Sequence, residues 1–231
     1  MDIYSFSGKG KREINEDYYA NRQFDAQSSL HIVADGMGGY AHGEIAAEIA
    51  VKAIVDFFFE NHQDQDIKKA IQKSLNIANE QIIIQRKSLH VKMGTTIAGL
   101  FIRRNIAYAF WLGDVHIYHF RNKEELFISK NHSLINEMRD KGPVSSKDIE
   151  RYGNIVTKSL SGSTLEDDVP IKKLHLMPGD VLCICSDGLY NSKDVKQIAV
   201  VSNNELDETM KENGTAIEDN YTLIRIDLKQ T

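Results

Sequence analysis

Leu30-His31-Ile32-Val33-Ala34-Asp35-Gly36-Met37-Gly38-Gly39 is a short apolar run that halts on an aspartate and then on glycines. It reads as a buried strand over 30–34 with the Asp35 carboxylate at its rim. The residues after it, rich in glycine, allow a metal ion to approach the backbone closely. An Asp-Gly pair after a strand is, taken alone, most often a turn. Here the pattern recurs. Gly113-Asp114 closes a second apolar run, Asp187-Gly188 follows Val181-Leu182-Cys183-Ile184-Cys185, and Asp219-Asn220 opens a last one. Asp17, preceded by Asn15 and Glu16, lies near the N-terminus. In an antiparallel sheet the end of one strand and the start of its neighbour share a rim, so these carboxylates are expected to converge. Uncompensated, such a cluster repels itself and opposes folding. A hard divalent cation resolves that conflict. Oxygen donors without His/Cys ligand spacing point to Mg²⁺ or Mn²⁺ rather than zinc. Two such ions sharing a carboxylate can activate water, and phosphoryl transfer suits that chemistry.

Outward from this rim, residues 95–102 and 105–112 read as strands of a hairpin around Arg103-Arg104. Residues 115–120, 154–160, 171–176 and 181–185 are further strand candidates. Residues 221–228 alternate, with Thr222, Ile224, Ile226 and Leu228 on one face. Two long helices are predicted. In 43–60 the residues Ile45, Ile49, Ala53 and Phe57 recur every four positions, and from 66 to about 86 Ile67, Ile71, Leu75, Ala78 and Ile82 form a second stripe. Shorter helices are predicted at 133–141, 146–152 and 192–199. Strands dominate and the two long helices are consecutive, which favours an α+β class with an antiparallel sheet over a βαβ alternation.

The 231 residues carry 42% hydrophobic and 26% charged side chains, enough for a sizeable core and ordinary for a globular chain. The net charge of −5 and the absence of a basic stripe argue against a nucleic-acid partner. With no repeat and no linker-like segment, one domain over 1–231 is expected. Cys183 and Cys185, two apart in one strand, are poorly placed to bridge each other and read as small apolar packing in a reducing compartment. Met1-Asp2-Ile3-Tyr4 has no leader character, and no stretch is apolar enough to cross a membrane. A cytoplasmic protein without membrane contact, monomeric by default, is expected.

At these residues the chain resembles the type 2C, or PPM, protein phosphatases, and in particular their compact bacterial members. Arg12-Glu13-Ile14-Asn15-Glu16-Asp17, Val33-Ala34-Asp35-Gly36-Met37-Gly38-Gly39 with Gly43-Glu44, Gly94-Thr95-Thr96, Leu112-Gly113-Asp114, His132-Ser133-Leu134-Ile135-Asn136-Glu137, Pro178-Gly179-Asp180, Ser186-Asp187-Gly188-Leu189 and Asp219-Asn220-Tyr221-Thr222 follow the family's order. That many ordered motifs over nearly the whole chain make a specific match. The resemblance implies a central antiparallel β-sandwich with helices on both faces, a four-layer αββα arrangement. It implies hydrolysis of phosphoserine and phosphothreonine by water activated between two Mn²⁺ or Mg²⁺ ions, without a phosphoenzyme. Asp35 would bridge the ions, the Gly36 carbonyl would ligate one, and Asp187 and Asp219 would complete the other. Glu16 and Asp17 would act through metal-bound water, Asp114 would serve a third, weaker ion, and Arg12 would hold the substrate phosphate with its planar fork. Implied partners are phosphoproteins and a cognate serine/threonine kinase.

The sequence departs from the pattern at four places. Tyr40 stands where bacterial members usually carry histidine, with His42 two positions on, which leaves the general acid unassigned. Val115-His116 replaces Ser-Arg after Asp114. Asn131 replaces an aspartate, and Asn191 replaces a further one found in some members. Residues 142–153 correspond to the family's flap; read without the family, they are a surface loop with a short helix. The departures motivate a competing reading, a catalytically impaired relative that binds a kinase or phosphoprotein as a regulator. The intact set of carboxylates argues against it. Another two-metal hydrolase, such as a nuclease, is disfavoured by the missing basic stripe.

Overall fold

The structure is a computed structural model that describes residues 1–37, 42–153, 155–163, 165 and 169–229. Among these, the strands are β1 (Asp2–Gly8), β2 (Asp17–Gln23), β3 (Ser28–Gly36), β4 (Thr95–Arg103), β5 (Ile106–Leu112), β6 (His116–Arg121), β7 (Glu124–Ile128), β8 (Ile171–His175), β9 (Val181–Cys185) and β10 (Tyr221–Asp227). The helices are α1 (Gly43–Asn61), α2 (Ile67–Leu89), α3 (Leu134–Lys141), α4 (Ser146–Tyr152), α5 (Asp187–Tyr190), α6 (Val195–Ile198) and α7 (Asn203–Asn213). One sheet runs β1-β10-β9-β6-β7 and the other β2-β3-β4-β5-β8, with every pairing antiparallel.

Strand alternation builds the layers. Val33, Ala98, Leu100 and Ala109 of one sheet meet Ile117, Leu182, Ile184, Ile224 and Ile226 of the other in a common core. The opposite faces of the same strands carry Leu30, Ile32, Ile97 and Phe101, which pack on α1 and α2. On the far side, Cys183, Cys185 and Leu223 pack on Leu189, Val195, Ile198 and Leu206 of the C-terminal helices. The result is the four-layer αββα sandwich that the resemblance implied. The two cysteines are free and buried in one cluster, as strand residues two apart on one face must be.

Some expectations fail for identifiable reasons. Residues 154–160 do not form a strand. Their backbone makes isolated bridges to two different partners, Val156 to Ser133 and Leu160 to Thr95, so no ladder propagates; residue 154 itself lies outside the described residues. The helix predicted over 192–199 is shorter, α6 covering only Val195–Ile198, because Asp194 caps it by accepting a hydrogen bond from the Lys196 amide; the short α5 just before it was not expected. α1 buries Ala46, Ala47, Ala50, Ile54 and Phe58, while Ile45, Ile49 and Phe57 sit at the margin of its contact. Alanines let the helix lie closer to the sheet than the larger stripe would. The sequence reading missed β1, β2, β7 and α7. Polar residues such as Ser5, Ser7 and Asn21 dilute the edge strands. For α7 the readable signal was its capping box, Ser202 with Glu205.

Candidate active site

β2 starts from the rim at Asp17 and β3 returns to it at Asp35, and the ladder sets these two directly opposite each other, with Thr96 of β4 opposite Asp35 on the other side. Asp187 follows the end of β9 by two residues, and Asp219 precedes β10 by two. Asp114 sits between β5 and β6. Arg12, Glu16, Asp35, Gly36, Asp114, Asp187 and Asp219 line one cavity of about 820 Å³, together with Met37, Thr96, Asn191 and Asn220. The cavity thus brings together every residue singled out from the sequence except Asp17, which lies buried behind its wall.

Asp17 is 7% exposed. Its Oδ2 accepts hydrogen bonds from Ser186 Oγ and Thr222 Oγ1, both at 2.7 Å. Its Oδ1 is buried and finds no hydrogen-bond partner among the described residues. Burial pushes Asp17 up to about 6, against the pull of the Thr222 and Ser186 hydroxyls. Asp187 is pushed up to about 7 by burial and by the charges of Asp114, Asp219 and Asp17. Asp35 is held well above the ordinary carboxylate range by burial, and by Asp17, Asp187, Asp114 and Asp219. Asp114 and Glu16 are raised as well, in each case chiefly by burial. These carboxylates share one field, and they titrate as a set.

Other residues of the same motifs hold these groups in place. Asn220 accepts from the Glu16 amide at 2.9 Å and donates to the Lys9 and Ile14 carbonyls, pinning the N-terminal loop to the start of β10. The Gly36 amide donates to the Glu16 carbonyl at 3.1 Å. Gly43 passes so close that a Cβ there would come within 2.8 Å of the Glu16 carboxylate. Thr95 Oγ1 donates to the Asp35 carbonyl at 2.8 Å. Gly113, at φ +110°, turns the chain ahead of Asp114, and its amide donates to His132 Nδ1 at 3.1 Å. That bond requires an unprotonated Nδ1, in keeping with the burial that lowers the His132 pKa.

The departures from the motif have local partners. Val115 fills the core between the sheets. The His116 ring packs against Tyr190 at 4.5 Å and bonds the Ser129 carbonyl. Tyr190 donates to the Asp114 carbonyl, and the Asn131 amide reaches the Tyr190 hydroxyl at 3.4 Å. Asn191 lines the cavity. His42 is exposed and pairs with Glu44 at 3.5 Å, outside the cavity's described lining. Tyr40 lies outside the described residues. Arg12 projects into the cavity mouth, half exposed, and donates to Asp219 Oδ2 at 2.7 Å.

The donor set fits divalent cations. It is all oxygen, it carries more negative charge than one arginine offsets, and it includes an orphaned buried carboxylate oxygen. Among the described residues, no three carboxylates or imidazoles close on a single point as a protein cage would. That spacing suits ions such as Mg²⁺ that keep several waters and take one or two carboxylates each.

Comparison with known proteins gives the following. A family model described as Protein phosphatase 2C matches residues 8–218. Protein phosphatase PhpP of Streptococcus pneumoniae serotype 2 is 32% identical over 200 residues, covering 83% of this chain and 80% of that protein. The serine/threonine phosphatase of S. agalactiae superposes with a TM-score of 0.87 at 26% identity, covering 99% of each chain. The catalytic domain of the serine/threonine protein phosphatase PstP, solved in complex with two manganese ions, shares the fold at 23% identity with a TM-score of 0.82, covering 99% of this chain and 98% of that one.

Proposed function

This chain belongs to the protein phosphatase 2C family, and from that premise we infer that it hydrolyses phosphoserine and phosphothreonine in proteins in a metal-dependent reaction. The observation that carries the reading is the convergence of Glu16, Asp35, Asp114, Asp187 and Asp219 with Arg12 on one cavity. Two Mn²⁺ or Mg²⁺ ions would be held by Asp35, the Gly36 carbonyl, Asp187 and Asp219, with Glu16 and Asp17 acting mainly through their water ligands and Asp114 serving a third, weaker ion. When bound, the ions supply a water nucleophile at neutral pH and offset the charge of the transferring phosphoryl group.

The chain's own residues supply the rest. Asp17 and Asp35, paired across β2 and β3, fix the spacing of the negative charge that receives the ions. Arg12 stands at the open mouth, where its fork can take two oxygens of a phosphate monoester once it leaves Asp219. The cysteines take no part as nucleophiles, because burial raises both thiols and pushes Cys183 up to about 12. We infer attack by water without a phosphoenzyme. The structure contains no helix long and apolar enough to cross a membrane among the described residues. We take 1–231 to act as one catalytic domain, monomeric and cytoplasmic, opposing a cognate serine/threonine kinase. Residues 142–153, including α4, would border the site as a flap.

The test is phosphate release from a phosphothreonine peptide with Mn²⁺, with Mg²⁺ and with chelator. Release that depends on either ion and stops on chelation is expected. No release from folded, metal-loaded protein would overturn the catalytic reading and leave the regulator.

A further inference from the structure

A stripe of polar residues along the inner side of α2 makes contacts that the catalytic reading does not use. Gln72, Asn79 and Arg86 are spaced by seven residues, which places them on one stripe of the helix. Each grips the same returning segment. Gln72 Oε1 accepts from the Val169 amide at 3.0 Å. Asn79 accepts from the Gly162 amide at 2.9 Å and donates to the Ser163 carbonyl at 2.6 Å. Arg86 donates to the Ser161 carbonyl. Asn79 is 5% exposed, so its two bonds are made away from water. Leu160 and Val169 are buried in the α1–α2 core, and Leu165 packs against it. Gly162, at φ +73°, lies so close to Ile83 and Arg86 that a Cβ would press on both at 3.0 Å.

This anchored segment leads directly to the catalytic rim. Leu160 exchanges two backbone hydrogen bonds with Thr95, both at 2.9 Å. Thr95 Oγ1 donates to the Asp35 carbonyl at 2.8 Å. The Met37 amide donates to the Gly94 carbonyl at 3.0 Å. The turn that presents Asp35 and the Gly36 carbonyl is thus held from β4, and β4 is held at that point by Leu160.

We propose that Asn79, on the far side of α2 from solvent, is a positioning residue that sets the Asp35–Met37 turn through the strap 160–163 and its bridge to Thr95. The inference rests on the assignment of Asp35 to the active site. Asn79 touches neither substrate nor any cavity-lining group, so its loss should misplace the reacting groups and leave phosphate capture by Arg12 intact. Small displacements of that kind lower turnover.

The experiment compares Asn79→Leu, which keeps size and removes both bonds, with Arg86→Met, which removes a different anchor of the same strap. Hydrolysis of an aryl phosphate is measured with saturating Mn²⁺, alongside hydrogen exchange of the Met37 and Thr95 amides. Both variants are expected to lower kcat by about tenfold with KM within about twofold, and to speed exchange at both amides. A helix residue with a purely structural role would not accelerate exchange there selectively. Unchanged exchange at Met37 and Thr95, or unchanged kcat, in folded variants overturns the proposal. Should Asn79→Leu fail to fold, Arg86→Met decides by the same readouts. Asp35→Ala is run beside them. Wild-type turnover in that variant would overturn the assignment beneath the proposal, whereas loss of turnover there with normal Asn79→Leu kinetics overturns the strap alone.

Discussion

Asp17 has one carboxylate oxygen satisfied by two hydroxyls and another that is buried without a partner among the described residues. An ionised carboxylate in that position is costly until a cation approaches, and this makes Asp17 a measurable reporter of the site's electrostatics. Its pKa rises to about 6 on folding, mainly through burial. A raised folded pKa means that the folded state binds the proton more tightly than the unfolded one. The favourable contribution is complete below the unfolded value near 4 and is lost as the pH rises through about 6. Asp17→Asn removes this dependence and keeps an acceptor oxygen for Ser186 and Thr222. The metal-free variant should match the wild type near pH 4 and exceed it above pH 7 by roughly 2–3 kcal/mol. Urea unfolding at a series of pH values in chelator checks this, and a constant difference across the range would contradict it. The residue was legible in the sequence as an acidic group beside Asn15 and Glu16. Its two hydroxyl partners were not, because Ser186 lies 169 positions away and Thr222 lies 205.

At the scale of elements, the turn between β5 and β6 places Asp114. Gly113 adopts φ +110°, and a Cβ there would fall 2.4 Å from the Thr96 side chain. Gly113→Ala therefore meets both a strained backbone and a neighbour that itself faces Asp35 across the ladder. It should cost about 1–3 kcal/mol of stability, seen as a lower urea midpoint with unchanged m-value. A midpoint equal to wild type would show that the turn can relax. The central strands were readable from the sequence because both their faces are apolar, and 181–185 was placed to the residue. The edge strands β1 and β2 were missed. They carry serines and an asparagine at half-exposed positions and an arginine at an exposed one, and only pairing with β10 and β3 makes them strands. The stripe on α2 was read correctly, while α1 turned its alanines inward. Periodicity locates a helix well, but its rotation is settled by how closely it can approach the sheet.

Across the whole molecule, two sheets meet so that their rims pool the carboxylates, and burial raises the cost of that charge. Cation binding should then stabilise the fold. At a hundredfold excess over Kd the gain is about 2.7 kcal/mol for each ion bound, which for a chain of this size corresponds to a rise in Tm of about 5–10 °C per ion. Thermal melts with Mn²⁺, with Mg²⁺ and with chelator measure it, and a Tm indifferent to cation would remove the site's electrostatic rationale. The sequence by itself determined the class of fold, the order of the acidic rim motifs and the all-oxygen chemistry they imply. Each of these is written in short-range patterns: alternation, strand-ending Asp-Gly pairs, and the absence of ligand histidines and cysteines. Only the tertiary structure decided which carboxylate is buried behind the cavity, that Arg12 rests on Asp219, and that α2 reaches the rim through a strap. Those facts depend on register and on contacts between residues far apart in the chain, and such contacts leave no periodic trace in the sequence.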